Sequence, residues 1–145
     1  MRISQVLAGK STREVVTIKP DATVRELLAL LARHNIGAVI VSEDASTVAG
    51  IVSERDVVRR LNEDDDVLTA QVSSIMTSEV KTARSDQPVV ELMQVMTERR
   101  FRHMPVVDEG TLTGIVSIGD IVKSRMSELE FERDQLDSYV HSSQT

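Results

Sequence analysis

Apolar residues recur at two spacings along the chain, and these spacings predict alternating strands and helices. Short runs rich in apolar or β-branched residues predict strands at 15–18, 38–41, 48–52, 80–82, 104–107 and 112–116. Apolar residues three or four positions apart predict helices at 1–10, 24–35, 55–61 and 89–96, a short helical piece ending near 75–76, and a last helix from after Ser117 to about Val140. The order strand, helix, strand, strand, helix therefore occurs twice.

The end of each predicted block carries the same short sequence. Gly-Ile-Val-Ser-Glu-Arg-Asp at 50–56 returns as Gly-Ile-Val-Ser-Ile-Gly-Asp at 114–120, 64 positions later. The turn inside the second pair of strands is one residue shorter than its counterpart, so Asp21 corresponds to Asp86 at an offset of 65. Each copy is typical of a buried strand that turns directly into a helix. The chain is therefore an internal duplication.

The predicted fold class is α/β (α+β), with two pseudo-symmetric β-α-β-β-α halves in 145 residues. That length fits one compact domain, or two intimate halves that share a core. We expect an N-terminal helical segment at 1–14, a first half with its linker at 15–76, a second half at 77–125, and a C-terminal helical extension and tail at 126–145. Because aromatic residues make up only 2% of the chain, the core must be aliphatic.

Composition narrows the classes of function. The net charge of −6 argues against a DNA-binding protein, because a phosphate backbone needs a basic face. The longest apolar run, 27–32, is far shorter than the ~20 residues of a membrane-spanning helix, and no secretory signal follows Met1, so we expect a cytoplasmic protein with no membrane partner. The chain has no cysteine and its three histidines are scattered, so we expect no metal.

Each repeated turn contains a Ser-x-x-Asp pattern, Ser53 with Asp56 and Ser117 with Asp120. Without any ligand, this pattern resembles a capping box, worth about 1 kcal/mol at a helix start. The same helix start can bind a phosphate through its free N–H groups and its dipole. An aspartate would repel that phosphate, whereas its two oxygens match the vicinal hydroxyls of a ribose. For each turn taken alone, both interpretations stay open.

The two copies together resemble the tandem CBS-domain family, named after cystathionine β-synthase. The resemblance rests on the order of elements, on the ending Gly, two apolar residues, Ser-x-x-Asp, and on the helix-to-strand segment Arg-Arg-Phe-Arg-His-Met-Pro-Val-Val at 99–107. It covers about residues 15–125. It implies two repeats that pack through their sheets and leave two clefts for an adenosine nucleotide such as AMP, ATP or NAD.

The resemblance also assigns roles to residues of this chain. Asp56 and Asp120 would bind the ribose, and Ser53 and Ser117 would bind phosphate or ribose. The residues expected near the base are Thr17, Val39, Thr82 and Met104.

Basic residues just before the second strand would bind the phosphate in members of that family. Arg102 and His103 occupy this place in the second repeat, whereas the matching residues of the first repeat, Gly37 and Ala38, carry no charge. Arg55, inside the first Ser-x-x-Asp motif, could substitute for them. We therefore expect two unequal clefts, with Ala38 and Arg55 in the first.

The leading hypothesis is a non-catalytic nucleotide sensor, in which a bound ligand changes the packing of the repeats or of the terminal helices. Its output would be a separate effector protein or its own assembly, and we expect a homodimer. A structural dimerisation module, with Ser-x-x-Asp acting only as a cap, is the alternative. An enzyme would need an acid or base and usually a metal near the phosphate, and only His103 is available.

The last predicted helix carries apolar residues in a heptad pattern. Val122, Leu129 and Leu136 recur every seven residues, which is the spacing of a helix that packs on a partner helix. A charged helix in solvent that docks a few apolar residues on its own domain explains the pattern equally well. Dimerisation through this helix is therefore one of two open interpretations.

Overall fold

Five α-helices and two small sheets follow one another in the residues that the computed structural model describes, 1–10 and 15–143. The helices are α1 (Ile3–Ala8), α2 (Val24–His34), α3 (Glu54–Glu63), α4 (Val89–Arg99) and α5 (Ile118–Ser143). The strands are β1 (Thr17–Ile18), β2 (Ala38–Val41), β3 (Gly50–Ser53), β4 (His103–Asp108) and β5 (Thr111–Ser117), and two 3-10 helices lie at Val67–Thr69 and Val72–Ser74. The predicted fold class is confirmed.

The first half is a three-stranded sheet with two helices. β1 runs parallel to β2, and β2 runs antiparallel to β3. α2 begins with a capping box, in which Thr23 Oγ1 accepts the Glu26 N–H at 3.2 Å and Glu26 Oε2 accepts the Thr23 N–H at 3.1 Å. It ends at Asn35, whose left-handed φ of 52° stops the helix. The core of this half contains Ile18, Val24, Leu27, Leu31, Val39, Val41, Val52 and Val57.

The second half is a two-stranded antiparallel sheet, β4 and β5, covered by α4 and the first turn of α5. Its core contains Val89, Leu92, Met96, Met104, Val106, Val116 and Ile121. The buried side chains of the two halves form separate clusters, so the halves do not share one core. A backbone hydrogen bond from Leu112 N to Ser46 O, 2.7 Å long, joins the two hairpins.

The strand predicted at 80–82 is wrong, because only a single parallel bridge from Ala83 to Val106 forms there. Ala83 N–H donates to Pro105 O at 3.0 Å, and Ala83 O accepts the Val107 N–H at 2.8 Å. The next rung of a parallel ladder would need an N–H at residue 105, and proline has none. The corresponding residue of the first half is Ile40, which pairs with Thr17, so β1 forms there.

The core of each half includes residues from a segment outside that half. The segment before the first half packs on the second, and the segment before the second half packs on the first. Ile3 and Val6 of α1 are buried in the core of the second half, and Val67 and Val72 of the two 3-10 helices are buried in the core of the first. The backbone of 1–4 bonds to 85–89 in the same way that 70–73 bonds to 20–24. The short helices predicted at 1–10 and near 75 therefore have the same structural role.

α5 extends 26 residues, from Ile118 to Ser143, slightly beyond the end predicted for it. Ile121 packs in the core of the second half, but Val122, Leu129 and Leu136 are 51%, 53% and 65% exposed. In the described residues, no helix is both long enough and apolar enough to cross a membrane.

Candidate functional site

The first Ser-x-x-Asp turn forms a complete capping box at the start of α3. Ser53 N–H donates to Asp56 Oδ2 at 2.8 Å, and Asp56 N–H donates to Ser53 Oγ at 3.3 Å. Ser53 Oγ also donates to Asp56 Oδ2 at 3.0 Å. The sequence brings these groups together because β3 ends at Ser53 and α3 begins at the next residue. Asp56 remains partly exposed.

The second turn repeats this geometry at the start of α5. Ser117 N–H donates to Asp120 Oδ2 at 3.0 Å, and Asp120 N–H donates to Ser117 Oγ at 3.0 Å. The capping function predicted for both motifs is therefore present in the structure. The remaining question is what else the two carboxylates contact.

Strand register places His103 and its uncharged counterpart Ala38 beside these turns. His103 lies opposite Ser117 in the ladder of β4 and β5, and Ala38 lies opposite Ser53 in the ladder of β2 and β3. Arg102 O accepts the Ile118 N–H at 2.9 Å. The correspondence inferred from the duplication is therefore present in three dimensions.

Gly37 takes the same place in the first half, where its carbonyl oxygen accepts the Glu54 N–H at 3.0 Å. A Cβ atom on Gly37 would lie 3.4 Å from Glu54 Oε1, so a carboxylate is close to this position. The first turn therefore has Glu54 and Asp56 nearby, with Arg55 as the basic residue between them in sequence. The two turns differ in charge although their backbones match.

A lysine that sequence reasoning missed pairs with the second turn. Lys10 Nζ lies 3.0 Å from Asp120 Oδ2 and donates to Ile115 O at 2.9 Å. The side chains of Lys10 and Asp120 are 25% and 24% exposed. No local pattern could reveal these contacts, because Lys10 is 105 residues from Ile115 and farther still from Asp120 in the chain. Packing of α1 on the second half brings Lys10 there.

The charges of this cluster shift two pKa values. Burial by itself would raise the pKa of the Asp120 carboxyl, but hydrogen bonds from Ser117 N–H and Lys10, with the positive charge of Lys10, hold that pKa below its usual value. Burial lowers the pKa of the His103 ring; Asp120 opposes this shift, and Lys10 and Arg102 add to it. At neutral pH, Asp120 is therefore ionised and His103 is mostly neutral.

A cavity of about 290 Å³ lies between α1 and α5 beside this ion pair. Asp120 lines it together with Lys10, Lys123, Ser124 and Ser127. Because Asp120 reaches this cavity, its carboxylate is not turned into the protein interior.

The residues predicted near the base fall in different surroundings. Val39 and Met104 are 1% and 2% exposed and belong to the two cores, so they could approach a base mainly through their backbone. Thr82 is exposed, next to the bridge residue Ala83. Thr17 is half-buried and lines an open groove of about 610 Å³ beside α2. The roles of these four residues stay predictions.

The two motif glycines make room for protein atoms. A Cβ on Gly50 would lie 2.7 Å from Met76 Sδ and 2.7 Å from Thr77 O, and a Cβ on Gly114 would lie 2.8 Å from Leu7 Cδ2. Simple crowding, the structural explanation for a glycine in a strand, therefore accounts for both. They are part of the packing of the two segments that complete the halves.

The described residues contain no group of three or more His, Asp or Glu side chains that could hold a metal ion. The arrangement instead offers ionised carboxylate oxygens at two helix starts and, at the second, a cluster of basic side chains. Such a site can accept hydrogen bonds from hydroxyl groups and attract an anion. Geometry thus defines a two-repeat α/β protein with paired polar sites at helix starts.

Comparison with known proteins identifies the family. The family model for the CBS domain matches the chain twice, at residues 3–63 and 72–127. The chain belongs to the CBS-domain family and contains two CBS domains. The domain boundaries expected after residues 14, 76 and 125 stay predictions.

Three curated relatives illustrate the range of proteins that contain this pair. The CBS domain-containing protein YhcV of Bacillus subtilis is 30% identical over 80% of this chain and 82% of its own length. A mitochondrial CBS domain-containing protein of Arabidopsis thaliana is 34% identical, and the chain spans 61% of it. The chain is 33% identical to the inosine-5'-monophosphate dehydrogenase of Methanocaldococcus jannaschii but spans only 25% of that enzyme.

Solved structures share the fold. A CBS-domain protein of Agrobacterium tumefaciens has a TM-score of 0.81 and 39% identity, covering 86% of this chain and 99% of its own. A CBS-domain protein of Pyrobaculum aerophilum, solved in complex with AMP, has a TM-score of 0.74 and 28% identity over 83% of this chain and 89% of its own. The CBS domain pair of protein MJ0100, solved with 5'-methylthioadenosine and S-adenosylmethionine, has a TM-score of 0.75 at 24% identity over 85% and 98% of the two chains.

Proposed function

We propose that this protein is a non-catalytic regulatory module that binds an adenosine nucleotide, such as AMP, ATP or NAD, beside the Ser-x-x-Asp turns of its two CBS domains. The partly exposed, ionised carboxylate of Asp120, with the cation of Lys10 beside it, carries the proposal. A ribose diol needs an acceptor such as this carboxylate, and a phosphate needs nearby cations. The AMP complex of the Pyrobaculum relative supports the adenosine class.

The two clefts are proposed to differ. In the second, Asp120 would bind the ribose, Ser117 the phosphate or ribose, and Arg102 with His103 the phosphate. In the first, Asp56 and Ser53 would take the same roles, but Gly37 and Ala38 supply no cation beside them. We therefore propose the second cleft as the stronger nucleotide site, and Arg55 as the residue on which the first depends.

Regulation by such a module requires only that the ligand bind two arrangements of the protein with different affinity. The segments that complete each half are the natural elements to respond, because Leu7 of α1 packs against Gly114 and Met76, just after the 3-10 helices, packs against Gly50. A separate effector protein would receive the signal. The cytoplasmic location stays a prediction, as does the effector.

Thermal unfolding with a panel of ligands tests the proposed function. AMP, ADP, ATP, NAD and S-adenosylmethionine are each added at millimolar concentration to the full chain. A ligand at a hundredfold excess over its Kd adds about 2.7 kcal/mol to the free energy of unfolding, which raises the melting temperature by several degrees. Inorganic phosphate and ribose at equal concentration serve as controls. If no nucleotide raises the melting temperature, the nucleotide-binding proposal is wrong.

A structural dimerisation module remains the second candidate function, and the exposed apolar residues of α5 favour it. In that case the Ser-x-x-Asp turns act only as helix caps, a role for which their hydrogen bonds are sufficient. The protein would then form a dimer whose melting temperature is unaffected by every ligand of the panel. A dimer that also binds a nucleotide supports the regulatory module.

A further inference from the structure

Lys10 pairs with one of the two Asp120 carboxylate oxygens that a ribose diol would use. Ser117 N–H and Lys10 Nζ both bond to Oδ2 of Asp120. A vicinal diol that engages both carboxylate oxygens therefore competes with the Lys10 ammonium. Because both side chains are about a quarter exposed, burial does not prevent that exchange.

We infer that Lys10 determines the specificity of the second cleft for nucleotides over nucleosides, an inference that rests on the proposed function. When the diol binds Asp120, Lys10 leaves the carboxylate and pairs with the phosphate of the same ligand. A nucleotide therefore replaces the ion pair that it breaks. A nucleoside breaks the same ion pair but has no phosphate to pair with Lys10, so it binds more weakly.

The surrounding charges make this exchange favourable for an anion. Lys10 pairs with Asp120, Arg102 O accepts the Ile118 N–H, and His103 lies opposite Ser117, so these three residues lie around the same turn. Lys10 follows Gly9, the residue that ends α1, and α1 itself is anchored by Ile3 and Val6 in the core. The lysine can therefore change partner through its long side chain while α1 stays in place.

The first half offers an internal comparison. Leu7 packs on Gly114, and Lys10 comes three residues later; Met76 packs on Gly50, and three residues later comes Glu79. The chain position that is cationic in the second half is therefore acidic in the first. Discrimination in favour of a phosphate is accordingly assigned to the second cleft.

Calorimetric titration of the full chain with AMP and with adenosine tests the inference through the ratio of the two Kd values. Lys10→Met keeps the apolar stem and removes the charge. We expect this variant to lower the preference for AMP over adenosine about tenfold, because adenosine no longer breaks an ion pair at Asp120 and AMP no longer gains a charge-assisted contact to its phosphate. Lys10→Arg restores a cation and should restore most of the preference for AMP.

Lys123→Met is the matched control, since Lys123 lines the same cavity but is exposed on α5. We expect the ratio of the Kd values for AMP and adenosine to be the same in Lys123→Met as in the original chain. If Lys10→Met leaves the ratio of the two Kd values unchanged, or if Lys123→Met changes that ratio equally, Lys10 does not determine specificity. An original chain that binds none of the nucleotides of the panel overturns the proposed function itself. Circular dichroism of each variant verifies that it is folded.

Discussion

Asp120 combines two roles that a single carboxylate can hold together. Its backbone and side chain cap α5 through Ser117, and its Oδ2 atom also pairs with Lys10. Asp56 has the same capping bonds without a lysine among its described hydrogen-bond partners. The capping box explains why both positions are acidic, whereas among the described residues Lys10, Arg102 and His103 lie at the second turn.

The lowered pKa of His103 predicts a pH dependence of stability. An unfolded histidine has a pKa near 6.5, whereas the pKa of the ring in the folded chain is lower, because the ring is buried and faces Lys10 and Arg102; Asp120 opposes this shift. Stability from this residue is thus complete above pH 6.5 and is lost as the pH falls toward the folded pKa. As the pH is lowered from 7.5 to 5.5, we expect the free energy of unfolding to fall less in His103→Asn than in the original chain.

Urea unfolding of both proteins at several pH values measures this effect. The other two histidines are present in both proteins, so their contributions cancel in the comparison. Equal pH slopes for the original chain and His103→Asn would show that burial of His103 does not affect its protonation.

Among the elements, β3 and β5 depend on glycine for their packing. We expect Gly50→Ala to lower the free energy of unfolding by about 1–3 kcal/mol, as overpacking does. Its Cβ would meet Thr77 O, a backbone atom that cannot turn aside, at 2.7 Å. Gly114→Ala should cost less, because the Cβ meets the flexible end of Leu7.

Gly119→Ala is the control, because the nearest atom to its Cβ would be 3.6 Å away and the residue is helical. This variant should be neutral or more stable by about 0.5–1 kcal/mol. Urea unfolding of the three variants should rank them Gly50→Ala, Gly114→Ala, Gly119→Ala, from least to most stable. A Gly50→Ala protein as stable as Gly119→Ala would contradict the observed packing.

Much of the element order could be predicted from the sequence, because local spacing determines it. The apolar run of β2 and the periodicity of α2 each match the structure closely, and the duplication correctly paired Ala38 with His103. The missing strand at 80–82 depends on Pro105, which belongs to a different strand. Lys10 likewise reaches its partner only after α1 has packed on the second half. Both features arise from contacts between distant segments, which no local pattern records.

At the scale of the whole molecule, α5 is the element proposed to join two copies of the chain. Val122, Leu129 and Leu136 form an exposed stripe with heptad spacing. We expect Leu129→Glu combined with Leu136→Glu to convert a dimer into a monomer with little loss of stability, because both positions are more than half exposed. Analytical ultracentrifugation measures the mass in solution.

Phe131→Glu is the matched control for this experiment, since Phe131 is 63% exposed but lies off the stripe. That variant should remain a dimer. If the double variant also remains a dimer, α5 is not the interface. If the original chain is a monomer, the homodimer proposal is wrong.

Calorimetric titration of AMP into Asp120→Ala, with Asp56→Ala as the matched variant, tests the central claim most directly. Asp120→Ala loses part of one capping box, which costs about 1 kcal/mol, so the variant should stay folded. We expect AMP affinity at the second cleft to fall at least tenfold in Asp120→Ala and to persist in Asp56→Ala. A folded Asp120→Ala protein that binds AMP as tightly as the original chain would contradict the claim that this helix start is the nucleotide site.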